Sequence, residues 1–345
     1  MAAGIAPTAT VDGSAVLEVL VPHDATLAAA AVAAPAGSEP RRIARRLQWL
    51  TWGAEGAGTA LLVLGALSAA ALALGSGSPL AGWSQSTRLL VTGVLVGTCV
   101  ALLVVSPVGR LSGAHLNPSV TLAFWVVRMV SGRDVIGYVG AQLLGALAGG
   151  LTFRWLWGGI ALSVGGGVTH PTVSIWAALC LEAGMTALLV AMIFVFVSRE
   201  RLARWTPLML VPVLAVLIWR GSRYTGTSLN PARSEGPAIA FADFGGLWIY
   251  LLGPILGGLT VAVAWRQRDD AAQPKTAKLF HDCSYPCSLN SELAVTPSFG
   301  NPDEEHLLGD RSRVDRPADR AGQDRSAARE QPIVERLARQ PPPER

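Results

Sequence analysis

Apolar residues along this chain fall into blocks, with neither the alternation of a half-buried strand nor a heptad repeat. Long runs cover roughly 50–74, 88–106, 134–157, 174–197, 205–222 and 246–265. A helix needs about 20 apolar residues to cross the hydrocarbon core of a bilayer, so the pattern predicts six membrane spans. Two shorter apolar segments, 118–127 and 231–241, lie between the second and third spans and between the fifth and sixth. Each begins inside a Leu-Asn-Pro box, in "SGAHLNPSVTLAFW" (112–125) and "TGTSLNPARSEGPA" (225–238). Asparagine is a favoured helix cap, and proline at the first helical position forfeits no hydrogen bond. Segments this short cannot cross, so they predict re-entrant half-helices. Such backbone is tolerated at membrane depth only where protein buries it or where it lines a watery cavity.

The blocks also repeat. "EGAGT" (55–59) opens the first span and "EAGMT" (182–186) opens the fourth, each reading Glu-x-x-x-Thr. Three spans and a half-helix, followed by the same again, make the second copy enter from the opposite face. Inverted repeats bring related segments together near the midplane, so Asn117 and Asn230 are expected to meet. The expected organisation is a flexible leader over 1–44, a channel domain over 45–266 (repeats about 45–157 and 174–266), and a polar, unfolded tail over 267–345.

Composition and charge refine this picture. The chain has 345 residues, of which 51% are hydrophobic and 15% charged, with a mean hydropathy of +0.40; soluble domains carry about 25% charge. The net charge of +4 does not call for nucleic acid, because arginines gather at the ends of the spans. With a cytoplasmic N-terminus, inward-facing ends hold Arg41, Arg42, Arg45, Arg46, Arg110, Arg128, Arg133, Arg199, Arg201, Arg204, Arg266 and Arg268. Outward-facing ends hold Arg88, Arg154, Arg220 and Arg223. Positive residues favour the inner side, which predicts both termini in the cytoplasm and a multi-pass protein of the cell membrane. Cys99 and Cys180 fall within apolar spans, and Cys283 and Cys287 form "CSYPC" in the tail. Only His281 and Asp282 adjoin that pair, so no metal site is assigned.

Half-helices starting at Pro118 and Pro231 would point their N-termini at each other, each carrying about half a positive charge. That centre repels cations, while Asn117 and Asn230 offer side-chain N–H groups to a passing oxygen. Carbonyls of residues 113–116 and 226–229 would supply acceptors along the path. Neutral hydrogen-bonding solutes can then pass where ions cannot. Glu55 and Glu182 are read as supports that accept hydrogen bonds from the loops before each half-helix, with His115 as a further loop-holding residue. Arg233, deep in an apolar zone, faces the pore in this reading, because a buried charge there needs water or a partner. Gly145, Gly149, Gly253 and Gly257 are read as points of close helix approach.

The two boxes, the paired Glu-x-x-x-Thr openings and "AQLLGA" (141–146) resemble the aquaporin, or major intrinsic protein, family over about residues 45–266. The first box here is Asn117-Pro118-Ser119 and the second Asn230-Pro231-Ala232, where the family favours Asn-Pro-Ala. The resemblance implies a passive channel with no enzymatic step and no cofactor, a homotetramer in a lipid bilayer, and water or small neutral solutes as its cargo. It further implies a selectivity filter at Gly97, Ile218, Thr227 and Arg233. A shift of one residue in the fifth span would bring Leu217 or Trp219 to the second of these. Glycine and isoleucine where strict water channels carry an aromatic ring and a histidine point to a broad filter passing glycerol, urea or metalloid acids. Ser234 and Ala238 follow the water-channel pattern instead, so a strict water channel stays open. A secondary active transporter is the alternative from another class, since those too use broken helices and inverted repeats.

Overall fold

The computed structural model describes residues 39–269, 272–282, 285 and 289. Within them, six long helices are interspersed with short ones. Helix α1 is Glu39–Leu74, α2 Gln85–Val105, α3 Pro107–Ser112, α4 Pro118–Val126 and α5 Gly132–Ser163; α6 is Ile175–Val197, α7 Glu200–Ala203, α8 Thr206–Thr225, α9 Pro231–Phe241 and α10 Leu247–Arg266. Five of them, α1, α2, α5, α6 and α10, are long and apolar enough to cross a membrane by length and composition. The remaining long helix, α8, covers 20 residues and carries Arg220 and Arg223 near its end. The fold is an all-helical, multi-pass membrane bundle.

Local chemistry explains where the helices start. Ser84 accepts from the Thr87 N–H, Ser131 from that of Asp134 and Ser174 from that of Ala177, satisfying orphan donors of α2, α5 and α6. Asn117 and Asn230 do the same for α4 and α9, with Pro118 and Pro231 in the first turn. Two boundaries differ from the hydrophobic pattern. Helix α1 begins at Glu39, ahead of the apolar run, because helix-forming arginines carry it beyond the apolar block. Helix α5 runs to Ser163, past a break at Gly158 (φ 49°, ψ −120°).

The repeats interlock. α1 packs on α5 in the first repeat as α6 packs on α10 in the second, and α2 packs on α8 between the repeats. Each half-helix lies against the last span of the other repeat, α4 on α10 and α9 on α5. Such approach leaves no space for side chains: a Cβ on Gly145 would lie 2.1 Å from the Gly56 carbonyl oxygen, and one on Gly257 2.0 Å from that of Ala183. The core cluster joins Val104, Leu116, Phe124, Phe194 and Leu210 around the half-helix tips. Cys180 faces outward from α6 rather than inward.

Part of the stretch expected to be an unfolded tail is packed. Thr276, Ala277, Lys278 and Leu279 are all buried, so the expectation fails for 272–282. The apolar Ala277 and Leu279 have a complementary surface at the end of the bundle, which the polar surroundings of this segment in sequence conceal. Of the leader expected over 1–44, residues 39–44 are helical as the start of α1, while residues 1–38, Cys283, Cys287 and residues 290–345 lie outside the described residues.

Candidate functional site

The two boxes come together by reciprocal hydrogen bonds. Asn117 Nδ2 donates to the Leu229 carbonyl at 2.8 Å, and Asn230 Nδ2 donates to the Leu116 carbonyl at 2.8 Å. The side-chain oxygens face their own helices: Asn117 Oδ1 accepts from the Ser119 N–H (2.8 Å) and Asn230 Oδ1 from the Ala232 N–H (3.0 Å). An amide nitrogen carries two N–H donors, and one from each asparagine is therefore spent on the opposite loop. The expectation that both amides serve a passing oxygen is reduced to one N–H apiece.

The loops before the half-helices share one backbone course. Gly113 and Gly226 adopt φ of 91° and 78°, Ala114 and Thr227 57° and 52°, and Leu116 and Leu229 51° and 58°. Left-handed conformation costs a residue with a Cβ roughly 1–2 kcal/mol, so each loop stores strain that its surroundings must hold. Ser112 Oγ accepts from the Ala114 N–H and Thr225 Oγ1 from the Thr227 N–H. Glu55 Oε1 accepts from the Leu116 N–H and, at 2.9 Å, from Gln142 Nε2. Glu182 accepts from the N–H groups of Ser228 and Leu229, both at 3.0 Å, and from the Thr225 hydroxyl at 2.7 Å. Both acids are fully buried and accept from donors of the loops before the half-helices.

A cavity of about 350 Å³ runs through this meeting point. Its wall includes Asn117, Asn230, Leu116, Leu229 and His115, and extends to Gln85, Val168, Thr169 and Arg223 at one end and to Leu279 at the other. Arg233 lines it and donates from Nη1 to the Gly167 carbonyl at 2.9 Å. Ile218 and Thr227 also line it. The register of α8 is settled by its neighbours, because Trp219 turns away to donate from Nε1 to Ser86 Oγ at 2.7 Å.

Gly97 does not line the cavity. A Cβ there would lie 2.8 Å from the Val211 carbonyl oxygen, so position 97 is where α2 touches α8. Val96 faces the cavity in its place. Counting back from Asn117 lands one residue late, because the turn at Ser106 and the short α3 intervene between α2 and the box. Three of the expected wall carbonyls are also occupied: those of Leu116 and Leu229 by the asparagines, and that of Gly113 by the Leu279 N–H at 3.0 Å.

The sequence of residues 44–265 matches the major intrinsic protein family. The chain belongs to that family. It is 36% identical over 191 residues to the lens fiber major intrinsic protein of Lithobates pipiens, covering 53% of this chain and 71% of that protein. It is 39% identical over 171 residues to the probable aquaporin AqpM of Archaeoglobus fulgidus, covering 47% and 69%. The fold is similar to the crystal structure of the aquaglyceroporin from Plasmodium falciparum, with a TM-score of 0.54 and 23% identity, covering 64% of this chain and 96% of that one. This major intrinsic protein is accordingly a channel and not an enzyme.

Sequence reasoning missed three features of this member of the family. Glu235, on α9, is a half-buried acid whose Oε2 has no hydrogen-bond partner; it lies outside the cavity wall. Ser234 does not line the passage, because its hydroxyl joins those of Thr169 (2.8 Å) and Ser228 (2.7 Å). Leu279, far along the chain, lines the cavity's other end; "AKLF" (277–280) was its only signal. In the loop before α10, the Gly245 N–H holds the Asp243 carboxyl below its ordinary range, with His170 Nε2 at 2.9 Å adding to the effect.

Proposed function

We propose that this protein passes water and small neutral solutes along the cavity between Arg223 and Leu279 while excluding ions and protons. The carrying observation is the reciprocal bonding of Asn117 and Asn230 where two half-helix N-termini meet inside one cavity. Each tip contributes about half a positive charge, so a hydronium meets repulsion from both sides. A solute oxygen accepts the remaining amide N–H of each asparagine, and a water so held donates only outward, which interrupts a proton wire. Arg233 adds a fixed cation barrier beside this centre. An ion stripped of water finds too few ligands to offset its desolvation.

The filter in this reading consists of Val96, Ile218, Thr227 and Arg233. Valine narrows the opening relative to the glycine expected from sequence, yet both valine and isoleucine present walls that neither donate nor accept. Thr227 and Arg233 supply the polar side. An aliphatic wall facing a polar one suits a solute with one apolar edge and one row of hydroxyls, which supports a polyol such as glycerol in addition to water. Stopped-flow light scattering on proteoliposomes tests this: water and glycerol or urea uptake above bare lipid is expected, and water uptake alone would refute the broad filter.

A coupled transporter is not favoured, because Glu182 accepts from loop backbone N–H groups through both carboxylate oxygens and Glu55 accepts one through Oε1. Flux that saturates or follows a proton gradient would restore it. Both termini are placed in the cytoplasm and the protein in the cell membrane, on the arginine distribution. Exposed Leu102 on α2, Leu188 on α6 and Val216 on α8 suit lipid or further copies, consistent with a homotetramer in which each subunit has its own pore.

A further inference from the structure

One end of the cavity is lined by a segment that belongs to neither repeat. After α10, residues 272–282 cross the end of the bundle, tied down on both sides. On one side the Lys275 N–H donates to the Val197 carbonyl at 3.0 Å, and Lys275 Nζ meets Glu200 Oε1 at 2.7 Å. On the other side Arg110 Nη1 meets Asp282 Oδ2 at 2.8 Å, with its guanidinium over the rings of Phe280 and Tyr285. Between these anchors the strap reaches the first half-helix loop: His115 Nε2 donates to the Ala277 carbonyl (2.8 Å), and the Leu279 N–H to the Gly113 carbonyl (3.0 Å). Leu279 is buried, joins the apolar cluster of Val104, Ile193 and Leu210, and lines the same cavity as the two asparagines.

We propose that this strap is a resident gate, with Leu279 as the plug and the Arg110–Asp282 pair as its latch. The chemistry of the contact is that of an occluded mouth. A water file needs a hydrogen-bonding partner at each step, and an apolar constriction interrupts it by dewetting. Leu279 brings an apolar side chain to the wall, while its backbone N–H ties the strap to the Gly113 carbonyl. The anchors are those of a part made to come away. Both ion pairs are partly solvent-exposed, with side-chain exposures of 34% and 21% for Arg110 and Asp282, and such pairs hold weakly and are screened by salt. The strap also buries Lys278, whose ammonium donates to the Arg110 carbonyl at 2.7 Å.

The full-length protein supplies its own probe, because Lys275 and Lys278 are the only lysines in the chain. A lysine-specific protease therefore cuts nowhere but in the strap. In detergent, slow cleavage is expected for the unaltered protein, much faster cleavage for Asp282→Arg, and slow cleavage again for Arg110→Asp combined with Asp282→Arg. Reconstituted in vesicles, Asp282→Arg and Leu279→Ala are expected to raise water permeability per copy several-fold, with the charge-swapped pair returning to the original value. Recovery in the swapped pair separates release from misfolding. Equal permeability in all four proteins overturns the gate: a high shared value leaves the channel reading standing, whereas values of bare lipid count against both. A rise with Asp282→Arg but none with Leu279→Ala overturns Leu279 as the plug.

Discussion

The two half-helix regions start from one backbone plan and end with different surroundings. Gly113, Ala114 and Leu116 repeat the left-handed course of Gly226, Thr227 and Leu229, and each asparagine bonds to the other loop. The second copy is then built of hydroxyls: Thr225, Ser228, Ser234 and Thr169 form a linked set around Glu182. The first copy carries His115 where the second has Ser228, and Val120 where the second has Arg233. It turns instead to the strap, through the Ala277 carbonyl and the Leu279 N–H. Equivalent backbones thus do unequal work. On the proposed reading, the second region sets the charge and polarity of the passage, and the first sets whether its other end is open.

The largest effect that breaks this comparison is expected at the buried acids. Glu182→Ala strands the N–H groups of Ser228 and Leu229 and the Thr225 hydroxyl, each unmade buried bond costing about 1–3 kcal/mol. Thermal unfolding in detergent should fall further for Glu182→Ala than for Glu55→Ala, where Leu116 and Gln142 lose a partner; equal losses would mean the loops are not held by these donors. Next come the asparagines. Asn117→Ala and Asn230→Ala should each lower stability by about 1–3 kcal/mol, and the double variant by less than the sum, because the bonds tie the same two loops. Strict additivity in that cycle would count against a shared junction.

Changing Arg233 to valine gives the second half-helix the residue that the first carries at Val120. Water flux should persist while cation or proton leak rises, as read by a pH-sensitive dye in vesicles; an unchanged leak would place the barrier at the asparagines alone. Gly97→Ala forces a methyl against the Val211 backbone and should destabilise by about 1–3 kcal/mol. Val96→Phe with Ile218→His should cut glycerol flux more than water flux, and the reverse order of loss would misplace the filter. The smallest effect concerns pH. A hydrogen bond from Lys275 holds the exposed Glu200 carboxyl below its ordinary value. A depressed carboxyl contributes stability above its unfolded value, and that contribution fades as pH falls through the folded one. Lysine-specific cleavage of the strap should therefore quicken slightly on acidification below the usual carboxylate range, and not on alkalinisation.

Much of this molecule is decided by local chemistry and so could be read directly. Block-wise apolar runs, each near a bilayer's thickness, require spanning helices whatever packs beside them. Asn-Pro at 117–118 and 230–231 fixes where α4 and α9 begin, because the cap and the first-turn proline act within a few residues. The paired Glu55 and Glu182 mark the repeats, and an odd number of crossings in each inverts them. Tertiary structure decided what depends on distant surfaces. Whether position 96 or 97 faces the passage turns on one residue of helix rotation, set by the contact of Gly97 with Val211. Whether an asparagine N–H serves solute or protein turns on a carbonyl more than a hundred residues away. The packing of Ala277 and Leu279 in a polar segment turns on a complementary apolar mouth, which exists only once the bundle has formed.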